Sequence, residues 1–193
     1  MKIIELVMEE GEVYGVNAIS IVDTPAIGEH FVHFNDQQVK FKTIDKEKRI
    51  ILGAVLVPNL PIYRKNDDGE EFYVFMSKET VRKAMERYMI NGFQASTTIQ
   101  HEEMVDGCTV VETWMKEGEH DKSMNFGMQL PDGTWCVAMK VENDVIWNDW
   151  VKEGKVKGFS IEAFFVDRMK IKSTEEKMLS EIEELVKSNE SLL

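Results

Sequence analysis

The chain has 193 residues, of which 43% are hydrophobic and 30% charged, the profile of one folded domain with modest appendages rather than of a disordered chain. Its formal net charge of −12 argues against a general affinity for nucleic acid or anionic membrane, since phosphate neutralisation needs clustered Lys and Arg, and favours a protein or basic-peptide partner. No apolar run approaches the ~20 residues of a membrane helix, and the opening MKIIELVMEEGEVYG turns acidic before a signal-peptide core forms, so a cytoplasmic location is expected.

Residues 1–45 alternate short apolar and polar stretches, and AISIVDTPAIGEHFVHF holds a TP break between strand-like pieces. An extended arm or peripheral hairpin is expected there. RIILGAVLVPNL, ended by Pro58 and Pro61, reads as a buried strand and as the first of the core. IYRKNDDGEEFYVFM carries a DDG turn between two aromatic-rich strands, the pattern of a hairpin. Ser77 then caps SKETVRKAMERYMIN, a helix stopped by Asn91-Gly92, with Val81, Ala84, Met85, Tyr88 and Met89 on one face. GCTVVETWM, TWCVAMKV and KGFSIEAFFV are three further strands, which makes a mainly antiparallel sheet. Between the last two, Asn143 caps a short helix ending at Gly154, with Val145, Ile146, Trp150 and Val151 on its stripe. STEEKMLSEIEELVKSNESLL opens with a capping box and reads as an acidic terminal helix.

Cys108 and Cys136 have no CxxC spacing and no neighbouring His cluster, so they read as two partly buried thiols with no metal site. No Walker or dinucleotide phosphate loop occurs, and no cofactor is expected. Three other positions bear on chemistry. His101, in TTIQHEEMVDG, falls at a strand edge. Ser160, in GKVKGFSIEAFF, shares one strand face with Gly158 and Glu162, opposite Phe159 and Ile161. Glu112 interrupts the apolar CTVVETWM; a solvent-facing position explains it, and so does a role in orienting His101. A serine hydrolase needs a hydroxyl, an imidazole to take its proton and a third group to hold the imidazole. Read from the residues alone, each position also has an ordinary structural explanation.

The ordered series QHEEMVDGCTVVETWM, then PDGTWCVAMKVENDVIWNDWVKEGKVKGFSIEAFF, resembles the XkdF-like phage prohead proteases over about residues 48–168. This family is related to herpesvirus assemblin. The resemblance implies an α+β fold, with a mainly antiparallel β-barrel-like sheet surrounded by a few helices. The expected organisation is an N-terminal arm (1–47), which the resemblance does not explain, a protease domain (48–170) and an acidic C-terminal helix (171–193). The resemblance further implies a serine endopeptidase that trims scaffold and major capsid precursors inside the assembling prohead in the host cytoplasm, with self-cleavage near the acidic tail. Homo-oligomerisation is left open. Matched position by position, His101 corresponds to the base, Ser160 to the nucleophile and Glu112 to the acidic residue of the VVE strand. Assemblin instead uses a second His after its serine, and no His follows Ser160 here. Asp167 and Glu162 therefore stay open for the third role, with Arg168 near the oxyanion. GFSIE also departs from relatives that carry a small residue after the Ile. The rival reading is a non-enzymatic capsid-assembly or scaffold protein that keeps the protease fold. An unrelated esterase or amidase of the usual fold would need a GxSxG elbow, which is absent.

Overall fold

Aliphatic and β-branched runs give strands that can be buried on both faces, and in this computed structural model, which describes residues 2–9, 14–25, 42–45, 48–66 and 68–168, they form three four-stranded sheets. β4 (Ile50–Leu56) is buried from Ile51 onward. It pairs antiparallel with β3 (Lys42–Asp45) and β10 (Trp135–Val141), and β10 pairs with β9 (Cys108–Met115), giving the order β3-β4-β10-β9. The expected hairpin is β5 (Ile62–Lys65) with β6 (Glu71–Met76). Its turn is held by Asn66 Oδ1, which accepts from the Glu70 N–H at 2.7 Å. β1 (Lys2–Val7) runs parallel to β6 and carries β12 (Val166–Asp167) on its other edge. The third sheet has the order β11 (Gly158–Phe164), β2 (Gly15–Val22), β7 (Thr97–Ile99) and β8 (Glu103–Met104).

Only the β1–β6 and β2–β7 pairings are parallel among the described residues, so the sheets are mainly antiparallel. The fold is α+β. None of the three sheets closes on itself among the described residues: pairing is divided into sets that each end on open edges, which differs from a barrel-like sheet.

Residues 2–7 and 15–22 do not form an arm. Val16, Ile19 and Ile21 are at most 1% exposed and belong to the main core with Ile51, Val55 and Trp135. The misleading signal was the alternation of short apolar and polar stretches, with polar Asn17 and Ser20 inside β2. Asn17 falls where the β2–β11 register shifts, and Ser20 faces the site described below. The parallel partners of β1 and β2 also lie far along the chain, where no local turn announces them.

Helix α1 (Lys78–Ile90) begins as expected, with Ser77 Oγ accepting from the Thr80 N–H at 3.3 Å, and stops at Gly92, whose φ of +75° suits glycine. Val81, Ala84 and Tyr88 are fully buried, whereas Met85 is half-buried and Met89 is exposed, so the packed stripe is narrower than the sequence suggests. Tyr88 meets Trp135 edge-on, with ring centroids 5.3 Å apart.

The segment capped by Asn143, whose Oδ1 accepts from the N–H groups of Val145 and Ile146, is a π-helical turn, Ile146–Lys152. Its wider winding buries Ile146, Trp147 and Val151 while leaving Val145 out, which displaces the stripe expected for an ordinary helix. It delivers the chain to β11, where Lys157 N–H bonds to Val22 O. A short helix α2 (Lys122–Asn125) lies between β9 and β10. The expected terminal helix, 171–193, lies outside the described residues. No helix among the described residues is long and apolar enough to cross a membrane.

Cys108 and Cys136 are more deeply buried than expected. Burial pushes the first thiol up to about 11 and the second up to about 12, with Asp121 adding to the latter. Because the thiolate is the reactive form, iodoacetamide at pH 8 should modify neither cysteine in the folded protein and both in denaturant. Rapid modification of either under native conditions would contradict this burial.

Candidate active site

The register of the third sheet sets three hydroxyl residues in one row. Ser160 on β11 pairs with Ser20 on β2, and Ser20 pairs with Thr98 on β7. All three are at most 8% exposed. A buried row of hydroxyls is costly unless it is partnered or used. Glu162 stands two residues after Ser160 on the same face and opposite the small Ala18. Across that gap Thr98 Oγ1 donates to Glu162 Oε1 at 2.6 Å.

His101 reaches this face through a strained turn. Gln100 and His101 both have positive φ, 52° and 62°, and the Glu102 N–H closes the turn on Ile99 O at 3.0 Å. Left-handed backbone at a non-glycine residue costs on the order of 1–3 kcal/mol and persists only where surrounding bonds impose it. Those bonds are present. Gln100 N–H donates to Ile21 O at 3.0 Å, the Gln100 side chain accepts from the Asp23 N–H at 3.2 Å, and His101 N–H donates to Ser20 Oγ at 3.0 Å. The histidine backbone is thus tied to the cross-strand neighbour of Ser160. Its Nδ1 lies 3.9 Å from Glu162 Oε1, the oxygen that Thr98 also holds.

Glu112 is not brought to His101. A register shift in the β9–β10 pairing turns both Val111 and Glu112 outward, and the carboxylate forms an ion pair with Lys122 on the β3-β4-β10-β9 sheet. Lys122 Nζ lies 4.1 Å from the centre of the Trp114 ring, so this corner is explained without His101. Asp167 sits on β12 opposite Leu6. Arg168 Nη1 is engaged by Glu5 Oε2 at 2.7 Å. Of the acidic residues left open by the sequence, Glu162 is the one that faces His101.

Among the described residues the Ser160 hydroxyl makes no hydrogen bond, to His101 or to any other group. The 3.9 Å His101–Glu162 separation also exceeds a hydrogen bond. Unliganded hydrolase sites commonly hold such contacts long and tighten them around substrate. No group of three or more His, Cys, Asp or Glu among the described residues is arranged to hold a metal ion.

Sequence reading missed Ser20, Thr98 and Gln100. The usable signal was a lone serine in AISIV and the paired threonines just before QH, but only the register shows that they share one face. Removing the Ser20 hydroxyl should leave the His101 N–H without its acceptor, at about 1–3 kcal/mol of stability, and should displace the imidazole. Ser20→Ala should therefore lower kcat by about 10²-fold with KM little changed. An unchanged kcat would show that Ser20 does not position His101.

No curated protein and no solved structure matches the chain. The family model described as "Putative phage serine protease XkdF" matches residues 38–169, from before β3 through β12, and so takes in both His101 and Ser160. With well over half its length matched, the chain belongs to the XkdF family of phage serine proteases.

Proposed function

We propose that this chain is a serine endopeptidase that trims scaffold and major capsid precursors during prohead maturation, with Ser160 as nucleophile, His101 as general base and Glu162 in the third role. The observation that carries this reading is the double anchoring of His101. Its N–H is bound to Ser20, the partner of Ser160, and its Nδ1 faces the Thr98-held carboxylate of Glu162. A carboxylate at Nδ1 favours the tautomer whose Nε2 accepts a proton and stabilises the imidazolium once formed. In this mechanism His101 Nε2 takes the Ser160 hydroxyl proton as Oγ bonds to the peptide carbonyl carbon. The carbonyl π pair moves to oxygen and returns as the C–N bond breaks, and the amine leaves with the proton from His101. Water then attacks the acyl-enzyme, again giving a proton to His101, which returns it to Ser160 Oγ as the acid departs.

Membership of a phage protease family supports the phage setting. The capsid and scaffold substrates, self-cleavage near the tail and action within the host-cell prohead follow from the resemblance. A fluorophosphonate tests the nucleophile. Wild type should gain one adduct mapping to Ser160, Ser160→Ala none, and His101→Ala one that forms far more slowly. An adduct elsewhere, or none on wild type, would remove Ser160 from the role. The second reading, a capsid-assembly protein that keeps the fold without the chemistry, draws on the absence of a Ser160–His101 hydrogen bond and would give no adduct.

A further inference from the structure

Ser160, His101 and Glu162 supply a hydroxyl, an imidazole and a carboxylate, but none of them is a donor for the negative oxygen that forms when Oγ attacks a carbonyl. The pairings of the third sheet single one out. β2 is paired on both sides. Ile19 N–H donates to Ser96 O at 3.1 Å and Gln100 N–H to Ile21 O at 3.0 Å, so the main-chain groups of Ile19 and Ile21 point to β7. Alternation along the strand then turns those of Ala18, Ser20 and Val22 to β11, where their partners are Glu162, Ser160 and Gly158. The N–H of Ile161, between Ser160 and Glu162, therefore points away from β2. β11 is the last strand of its sheet, and no acceptor for this N–H stands among the described residues.

The other donors near Ser160 are spent. Its own N–H faces β2, and the N–H groups of Gln100, His101 and Glu102 are taken by Ile21 O, Ser20 Oγ and Ile99 O. Arg168, which the sequence left open for this role, is engaged by Glu5. The edge at Ile161 is also reachable. A cavity of about 230 Å³ is lined by both Ser160 and Ile161. Their side chains stand on opposite faces of β11, so a hollow bordered by both residues reaches the strand edge at the peptide that joins them.

We propose that the Ile161 N–H is the oxyanion donor of this site. The proposal rests on the role of Ser160 as nucleophile. As Oγ bonds to the substrate carbonyl carbon, the π pair moves onto the carbonyl oxygen. With that carbonyl lying over the open edge of β11, the oxygen meets the N–H that follows Ser160 along the chain, while His101 receives the proton on the hydroxyl face. The sheet holds this N–H in place before charge develops, so nothing has to reorganise during the reaction. A bond made mainly to the charged oxygen lowers the barrier more than it strengthens substrate binding.

Ile161→Pro removes this donor. Proline is accepted where the N–H points off a sheet edge, and it keeps the preceding residue, here Ser160, in extended backbone. The comparator is Ile161→Ala, which loses the same side chain but keeps the N–H. Both are made in the full chain, with thermal denaturation as the control for folding. Labelling of Ser160 by a fluorophosphonate, whose phosphoryl oxygen takes the place of the oxyanion, should be about 10²–10³-fold slower in Ile161→Pro than in Ile161→Ala. With a precursor-derived peptide the same ratio should appear in kcat, with KM within about threefold. Equal labelling rates in the two variants, or a loss that appears in KM rather than kcat, would overturn the donor and leave the protease reading intact. No adduct on wild type would end that reading, and the donor with it. If Ile161→Pro does not fold, a semisynthetic full chain with an ester in place of the Ser160–Ile161 amide is judged by the same two rates.

Discussion

Ser160→Ala and His101→Ala should each lower peptide-bond cleavage by about 10⁶-fold, and the double variant should be no worse than either alone, because in the proposed mechanism nucleophile and base act as one unit. Both variants should fold. The Ser160 hydroxyl makes no hydrogen bond among the described residues, so its loss leaves no partner stranded. His101 is held through its backbone N–H, a contact that alanine keeps. His101→Asn serves as a second variant, since asparagine tolerates the φ of +62° better than alanine. Steady-state cleavage of a precursor-derived peptide, with thermal denaturation as the control for folding, checks both. A loss below tenfold for either, in a folded variant, would remove it from the catalytic pair.

The choice between Glu162 and Glu112 gives the next largest effect. Glu162→Gln keeps an oxygen for Thr98 Oγ1 but removes the charge that faces His101 Nδ1, and an amide there can select the wrong tautomer. A drop of about 10²–10⁴-fold in kcat is expected, on the scale of such changes in other serine hydrolases. Glu112→Gln breaks only an exposed pair with Lys122, worth little to stability, and should change kcat by less than about threefold. The reverse ranking, measured by the same assay, would return Glu112 to the third role and show that the His101–Glu162 approach is incidental.

How far the sequence could be read depended on how local each signal was. Ser77 and Gly92 bracket α1 because capping and left-handed termination involve only adjacent residues. The β5–β6 hairpin was equally local. The π-helical turn was placed correctly by Asn143 and Gly154 but misread in its buried face, since an extra residue per turn leaves no mark in a 3.6-residue pattern. The role of β2 was missed because its partners, β7 and β11, come from far along the chain and because the alternating stretches and the TP break after it suggest a peripheral arm. At the site, Ser160 and His101 were singled out through the ordered motifs of the resemblance. Glu112 was preferred for the same reason, and no periodicity could show that a register shift in β9–β10 turns it outward. Glu162 was already visible as the residue sharing the Ser160 face, which follows from strand alternation alone. What the sequence lacked was the approach of the β7–β8 turn to that face.

The most direct measurement is intact-mass spectrometry after co-expression of the chain, as wild type or Ser160→Ala, with its capsid and scaffold precursors under conditions that allow assembly. The proposed function predicts discrete shortened precursors with wild type and full-length masses with Ser160→Ala. Identical uncleaved masses with both, in assembled particles, would contradict it and leave a capsid-assembly protein that retains the protease fold.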